Sequence, residues 1–267
     1  MHSALLKLLM GLVCASSAFA ALAQTGTGPT VAEPAAVVPL PAAQALAMLP
    51  AVVQGGKIGA GWRVVTLPQQ KPPITRYSAE TVAGRPALRI EAKASYGNLV
   101  FEPSSGAVPS RLSWAWRVQQ PNPGSDVSTK AGDDLAAKVC VSFDLPLARV
   151  PFIERQLLRL ARSRSGENLP AATLCWLWGG SAVAGQLLDN AYTRRVRYIV
   201  LRPQDEVLDT WFEESRDVAA DFKRAFGDEA PSSSSPPPPL LALIVAGDAD
   251  NTGNTSVAHV AALRWLP

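Results

Sequence analysis

The chain has 267 residues, 48% of them hydrophobic, with 25 lysines and arginines against 22 aspartates and glutamates. So even a balance excludes a broad basic surface for nucleic acid, and of the two histidines only His259 lies beyond the N-terminal apolar segment, which excludes a multi-histidine zinc centre. The length fits one large β-domain.

Lys7, an apolar run from Leu8 to Ala15, and the small-x-small steps Ala18-Phe19-Ala20 and Ala21-Leu22-Ala23 predict a removable signal peptide over 1–23. The run is too short to span a bilayer, and no later segment approaches that length. A periplasmic or secreted protein is expected. Residues 24–55, rich in Ala, Pro, Thr and Gly, predict a flexible linker, and 56–267 a single domain.

Within that domain "GAGWRVVTL", "PALRIEAKAS", "NLVFEP", "SRLSWAWRVQ", "LAAKVCVSFDL", "ATLCWLWGG", "TRRVRYIVLR", "LLALIVAG" and "SVAHVAALRW" each predict a strand. So many short strands between turn residues predict a mainly β fold, a two-sheet antiparallel sandwich. Leu112, Trp114, Trp116 and Val118 share one face of their strand and are expected in the core. The strand of Trp176 and Trp178 is apolar on both sides. Cys140 and Cys175 each point away from the bulky residues of their strands, as a structural disulfide between neighbouring strands requires; two unpaired buried thiols are the alternative.

Two short helices interrupt the strands. "PFIERQLLRLARSRSG" gathers Ile153, Leu157, Leu160 and Ala161 on one side and Arg155, Arg159 and Arg162 on another. Such a helix suits an anionic membrane, but its shortness and mixed apolar face favour a solvated surface helix. "EESRDVAADFKRAFG" starts acidic, carries a Val218, Phe222, Ala225, Phe226 stripe, and ends with Gly227 placed for a left-handed cap. Residues 231–239, "PSSSSPPPP", predict a low-complexity loop.

Candidate chemistry concentrates in two polar loops. "GDADNTG" (247–253) sits between two predicted strands, so Asp248 and Asp250 are expected at a hairpin tip with Asn251 beside them. Oxygen donors of this kind suit calcium. It is not an EF-hand, because Thr252 and His259 stand at ligand positions and a strand follows. A polar structural turn and direct sugar contact are the other readings. Asp133 and Asp134, in "KAGDDLAAKV", form a second acidic pair, which shares the site only if the fold joins the loops. His259 shares its predicted face with Val257, Leu263 and Trp265, as a core residue would. Paired carboxylates for glycoside hydrolysis could come from Glu102, Asp133, Asp134 or Glu214.

The C-terminal third resembles the exported bacterial family known as domain of unknown function 3047. The motif residues are Trp211, Arg216, Asp217, Val218, Asp221, Phe222, Phe226 and Gly227, followed by Asp248, Asp250, Asn251, Thr252 and Gly253. "GDDLAAKVCVSFD" and "CWLWG" resemble its middle motifs, so the likeness covers about residues 60–266. It implies a jelly-roll-like sandwich and export, and no activity. Asp133, Asp134, Trp211 and Arg216 are the ligand-binding candidates, although Arg216 with Asp221 also suits a buried pair anchoring the helix. The combined expectation is a monomeric, non-catalytic module for a glycan or cell-envelope ligand, with calcium as a candidate cofactor; the alternative is a polysaccharide hydrolase.

Overall fold

The computed structural model describes residues 49–104, 106–165, 168–229 and 237–266. The predicted signal peptide, most of the predicted linker and residues 231–236 of the Ser/Pro loop lie outside the described residues. The linker's end does not: Val52 is buried in the core, and its carbonyl accepts from the Gly59 amide at 3.0 Å. Packing therefore begins ahead of residue 56.

The fold is a mainly antiparallel two-sheet sandwich of the jelly-roll-like kind. In chain order the strands are β1 (Val53–Gln54), β2 (Lys57–Ile58), β3 (Trp62–Val65), β4 (Arg76–Val82), β5 (Arg85–Lys93), β6 (Asn98–Phe101), β7 (Arg111–Gln120), β8 (Ala137–Phe143), β9 (Ala172–Trp178), β10 (Leu187–Asp189), β11 (Val196–Arg202), β12 (Phe212–Asp217), β13 (Leu240–Ala246) and β14 (Thr255–Leu266). One sheet has the order β10-β11-β9-β8-β13-β6-β3 and the other β12-β7-β14-β5-β4. Among these described strands only β11 and β9 pair in parallel, and the other pairings of both sheets are antiparallel. All nine strands expected from the sequence form.

Four tryptophans tie the sheets together. Trp114 and Trp116 of β7 project from one sheet and Trp176 and Trp178 of β9 from the other; Trp114–Trp176 centroids lie 5.4 Å apart and Trp116–Trp178 5.7 Å. Tilted and edge-on contacts of this kind add to the burial of four large rings. Every residue of β9 is buried. Its second face lies in a separate apolar cluster on the outer side of the seven-stranded sheet, with Cys140, Cys175, Tyr198 and Ile244. There Cys140 and Cys175, directly opposite in the β8–β9 register, are joined by a disulfide.

Three local expectations change. Glu213–Asp217 belongs to β12 rather than to a helix, because its alternating half-buried residues pair along β7 at the sheet edge. Helix α2 is therefore only Val218–Ala225, capped by the Asp217 carboxylate on the Ala220 amide at 2.8 Å. It closes with the Phe226 amide on Phe222 O, and Gly227 is not left-handed. Helix α1 (Phe152–Ser165) buries Leu158 and Ala161, leaving Ile153, Leu157 and Leu160 exposed. Finally, β14 shifts register between Ala261 and Arg264, with Ala262 at φ 51°. The shift turns Leu263 and Trp265 into the core, while His259 stays on the outer face beside Glu80.

Candidate functional site

Segment 247–253 is not a hairpin loop. β13 belongs to the seven-stranded sheet and β14 to the five-stranded one, so the segment crosses from sheet to sheet. Gly247 is required at the crossing, since a Cβ there would lie 2.5 Å from Ala136 O and 2.9 Å from Ile90 Cγ2. The antiparallel β8–β13 register sets Lys138 opposite Ala246, which brings the start of β8 beside the end of β13. The two acidic loops thereby meet.

Their meeting is a hydrogen-bonded clamp. The buried Asp134 carboxylate accepts the amides of Asn251 (3.1 Å) and Thr252 (2.6 Å) and the Asn251 Nδ2 (3.1 Å). Asp248 Oδ1 accepts the Leu135 amide at 2.9 Å and Oδ2 meets the Lys138 ammonium at 2.5 Å. Asp133 accepts from Asn190 Nδ2 (2.8 Å) and from the Tyr198 hydroxyl (3.2 Å). Tyr192 donates its hydroxyl to Asn251 Oδ1 at 3.0 Å.

The metal-ligand expectation for Asp248, Asp250 and Asn251 meets a physical obstacle here. Lys138 already supplies the positive charge at Asp248, whose other oxygen holds a backbone amide, and the Asn251 oxygen accepts from Tyr192. Among the described residues no group of three or more His, Cys, Asp or Glu is arranged to hold a metal.

Behind the clamp lies a cavity of about 90 Å³, partly open to solvent, on the outer face of the seven-stranded sheet. The disulfide and Ile244 give it an apolar wall, and Tyr96, Tyr192, Tyr198, Asn98, Asp133, Lys138, Asp248, Asp250 and Asn251 give it polar groups. Burial raises the pKa of Tyr96 and Tyr192 to about 12 and pushes that of Tyr198 well above its ordinary value, so all three keep their protons at neutral pH. Burial opposes the charge on Lys138, yet Asp248 holds it protonated. Burial also pushes Asp248 up to about 7, with Asp134 and Asp133 adding to the effect against the pull of Lys138. Asp133 is raised by burial as well. Arg195 reaches the cavity edge but is engaged by Glu229 at 2.5 Å and by Glu154.

A family profile described as "Protein of unknown function (DUF3047)" matches residues 60–264. The chain belongs to this family. No curated protein matches it. In this DUF3047 chain the four ligand-binding candidates do not converge. Asp133 and Asp134 form the clamp, but Trp211 packs on Ala87, Ala115 and Ala261 on the outer face of the other sheet, with the Arg85 guanidinium 4.9 Å from its ring. Arg216 grips Asp221 through two bonds of 2.8 and 2.7 Å, and Asp221 also accepts from Trp176 Nε1. That is an anchor for α2. Of the carboxylates considered for hydrolysis, Glu102 pairs with Arg63, and Glu214 accepts from Trp116 and Arg202. The three tyrosines and Asn190 carried no sequence signal, since they come from separate segments joined only by the fold.

Proposed function

We propose that this DUF3047 protein is an exported, non-catalytic binding module whose outer-sheet cavity takes one terminal unit of a glycan or cell-envelope ligand. The observation that carries the reading is the convergence of three protonated tyrosines, Asp133, Lys138 and Asn251 on one partly open cavity with an apolar wall. Sugar hydroxyls need fixed donors and acceptors together, and the sugar's C–H face needs an apolar or aromatic surface. At about 90 Å³ the cavity is well below the ~300 Å³ of a typical small-molecule pocket, which suits one ring or a terminal group rather than an enclosed chain.

The hydrolase reading draws on one feature, the raised pKa of Asp248 in the same cavity as Asp133. Against it, both Asp248 oxygens and both Asp133 oxygens already hold hydrogen bonds within the protein.

The test is calorimetric titration of the protein with a panel of neutral and acidic oligosaccharides from bacterial envelopes, alongside Tyr192→Ala and Trp211→Ala. Binding that is lost in Tyr192→Ala and kept in Trp211→Ala is the expected result. No binding by the wild type, or equal binding by both variants, would exclude the cavity. Release of new reducing ends during the titration would favour hydrolysis.

A further inference from the structure

The surface of α1 is at odds with an ordinary solvated helix. Phe152 is 66% exposed, Ile153 72%, Leu157 45% and Leu160 42%, while only Leu158 and Ala161 of the helix are buried. Ile153, Leu157 and Leu160 are spaced four and three apart, so they form one continuous outward stripe. Scattered exposed apolar residues need no explanation, but a contiguous row left uncovered by the described residues does.

What surrounds the stripe is cationic. Arg159 and Arg164 are exposed on the same helix, and Arg164 extends the row one turn beyond Leu160. Arg155 lies over the Phe152 ring, 5.6 Å from its centroid. Glu154, the one acidic residue of α1, is turned inward onto Arg195, so it does not offset this charge at the surface. Arg194, which also lies near Glu154, is largely exposed but paired with Asp189 at 3.0 Å, so the cationic character of the row comes from the arginines of α1 itself.

We infer that α1 is an interfacial docking element that lies flat on an anionic phospholipid surface, with Phe152, Ile153, Leu157 and Leu160 entering the headgroup boundary and Arg159 and Arg164 meeting lipid phosphates. The complementarity decides the occupant: an apolar row flanked by arginines matches a surface that is apolar below and anionic above. A protein partner or a second copy would use the apolar row without needing that charge. Among the described residues no helix is long and apolar enough to cross a membrane, so the contact is peripheral. Tyr192 lines both the groove beside α1 and the cavity behind the clamp, so docking would bring the cavity towards the headgroup layer. The inference does not depend on what the cavity binds.

The test is co-sedimentation of protein lacking residues 1–23 with vesicles of equal parts phosphatidylglycerol and phosphatidylcholine, against phosphatidylcholine alone. Two variants accompany it, Ile153→Asp with Leu157→Asp, and Arg159→Glu with Arg164→Glu. All four side chains are exposed, so an unchanged melting temperature is expected and confirms that each variant folds. The expected result is partition into the anionic vesicles only, weakened by high salt and reduced about tenfold or more in each variant. Equal partition into both vesicle types, no partition, or loss in only one variant would overturn the inference. So would a concentration-dependent dimer that dissociates in Ile153→Asp with Leu157→Asp, because the row would then belong to a second copy.

Discussion

Replacing Asp134 with alanine tests whether the clamp, rather than an ion, holds the sheet-to-sheet crossing. The substitution leaves the amides of Asn251 and Thr252 without their acceptor in a site where Asp134 itself is fully buried. Hydrogen bonds to a charged group are worth about 1.5–3 kcal/mol each, so two give roughly 3–6 kcal/mol. Removing a negative charge beside Asp133 and Asp248 returns part of this, leaving a net loss of about 3–4 kcal/mol. For a domain of this size each kcal/mol shifts the midpoint by about 2–4 °C, so a fall near 10 °C is expected. Differential scanning calorimetry reads the midpoint, and hydrogen exchange reads the Asn251 and Thr252 amides, which should lose protection ahead of the strands. A midpoint within about 3 °C of wild type, or undiminished protection of those two amides, would refute the reasoning.

Two further outcomes follow from the same region. Asp248 keeps its proton to about 7 in the folded chain, against 3.8 for an ordinary aspartate, so between those values the folded state binds more protons and its stability falls as pH rises. Denaturant titrations from pH 4 to pH 7 should show that slope in wild type and a flatter one in Asp248→Asn; equal slopes would exclude Asp248 as its source. The Cys140–Cys175 bond spans 35 residues of chain, for which loop-closure entropy gives about 4 kcal/mol, so Cys140→Ala with Cys175→Ala should melt roughly 8–16 °C lower; reductant should shift wild type alike and leave the variant unmoved.

The parts of the fold legible in the sequence were those whose burial is written in a local period. The Leu112–Val118 alternation and the two-sided apolar run of β9 needed no knowledge of their partners. β12 was illegible because Glu213-Glu214-Ser215-Arg216-Asp217 has no apolar alternation; what makes it a strand is pairing with β7 and the Trp116 Nε1 bond to Glu214. For α1 the expected surface helix forms, but the helical period locates a stripe without saying which side the sandwich covers: Leu158 and Ala161 face inward, and Ile153, Leu157 and Leu160 outward. At the site, both acidic loops were visible as polar segments. Their union depends on the β8–β13 register, and Lys138 and the tyrosines join it from positions that carry no spacing signal.

The crossing at 247–253 also bears on how the molecule is made. Asp134 and Asn251 stand 117 positions apart, so the clamp closes only after β8 and β13 have found each other across most of the domain. Closing a loop of that length costs entropy before any contact repays it, which places this region late in folding. A chain cut before β13 would lack Ile244, Asp248, Asp250 and Asn251, and with them one side of the cavity lining. The cavity is therefore shared among segments more than a hundred positions apart, and no single stretch of the domain carries it.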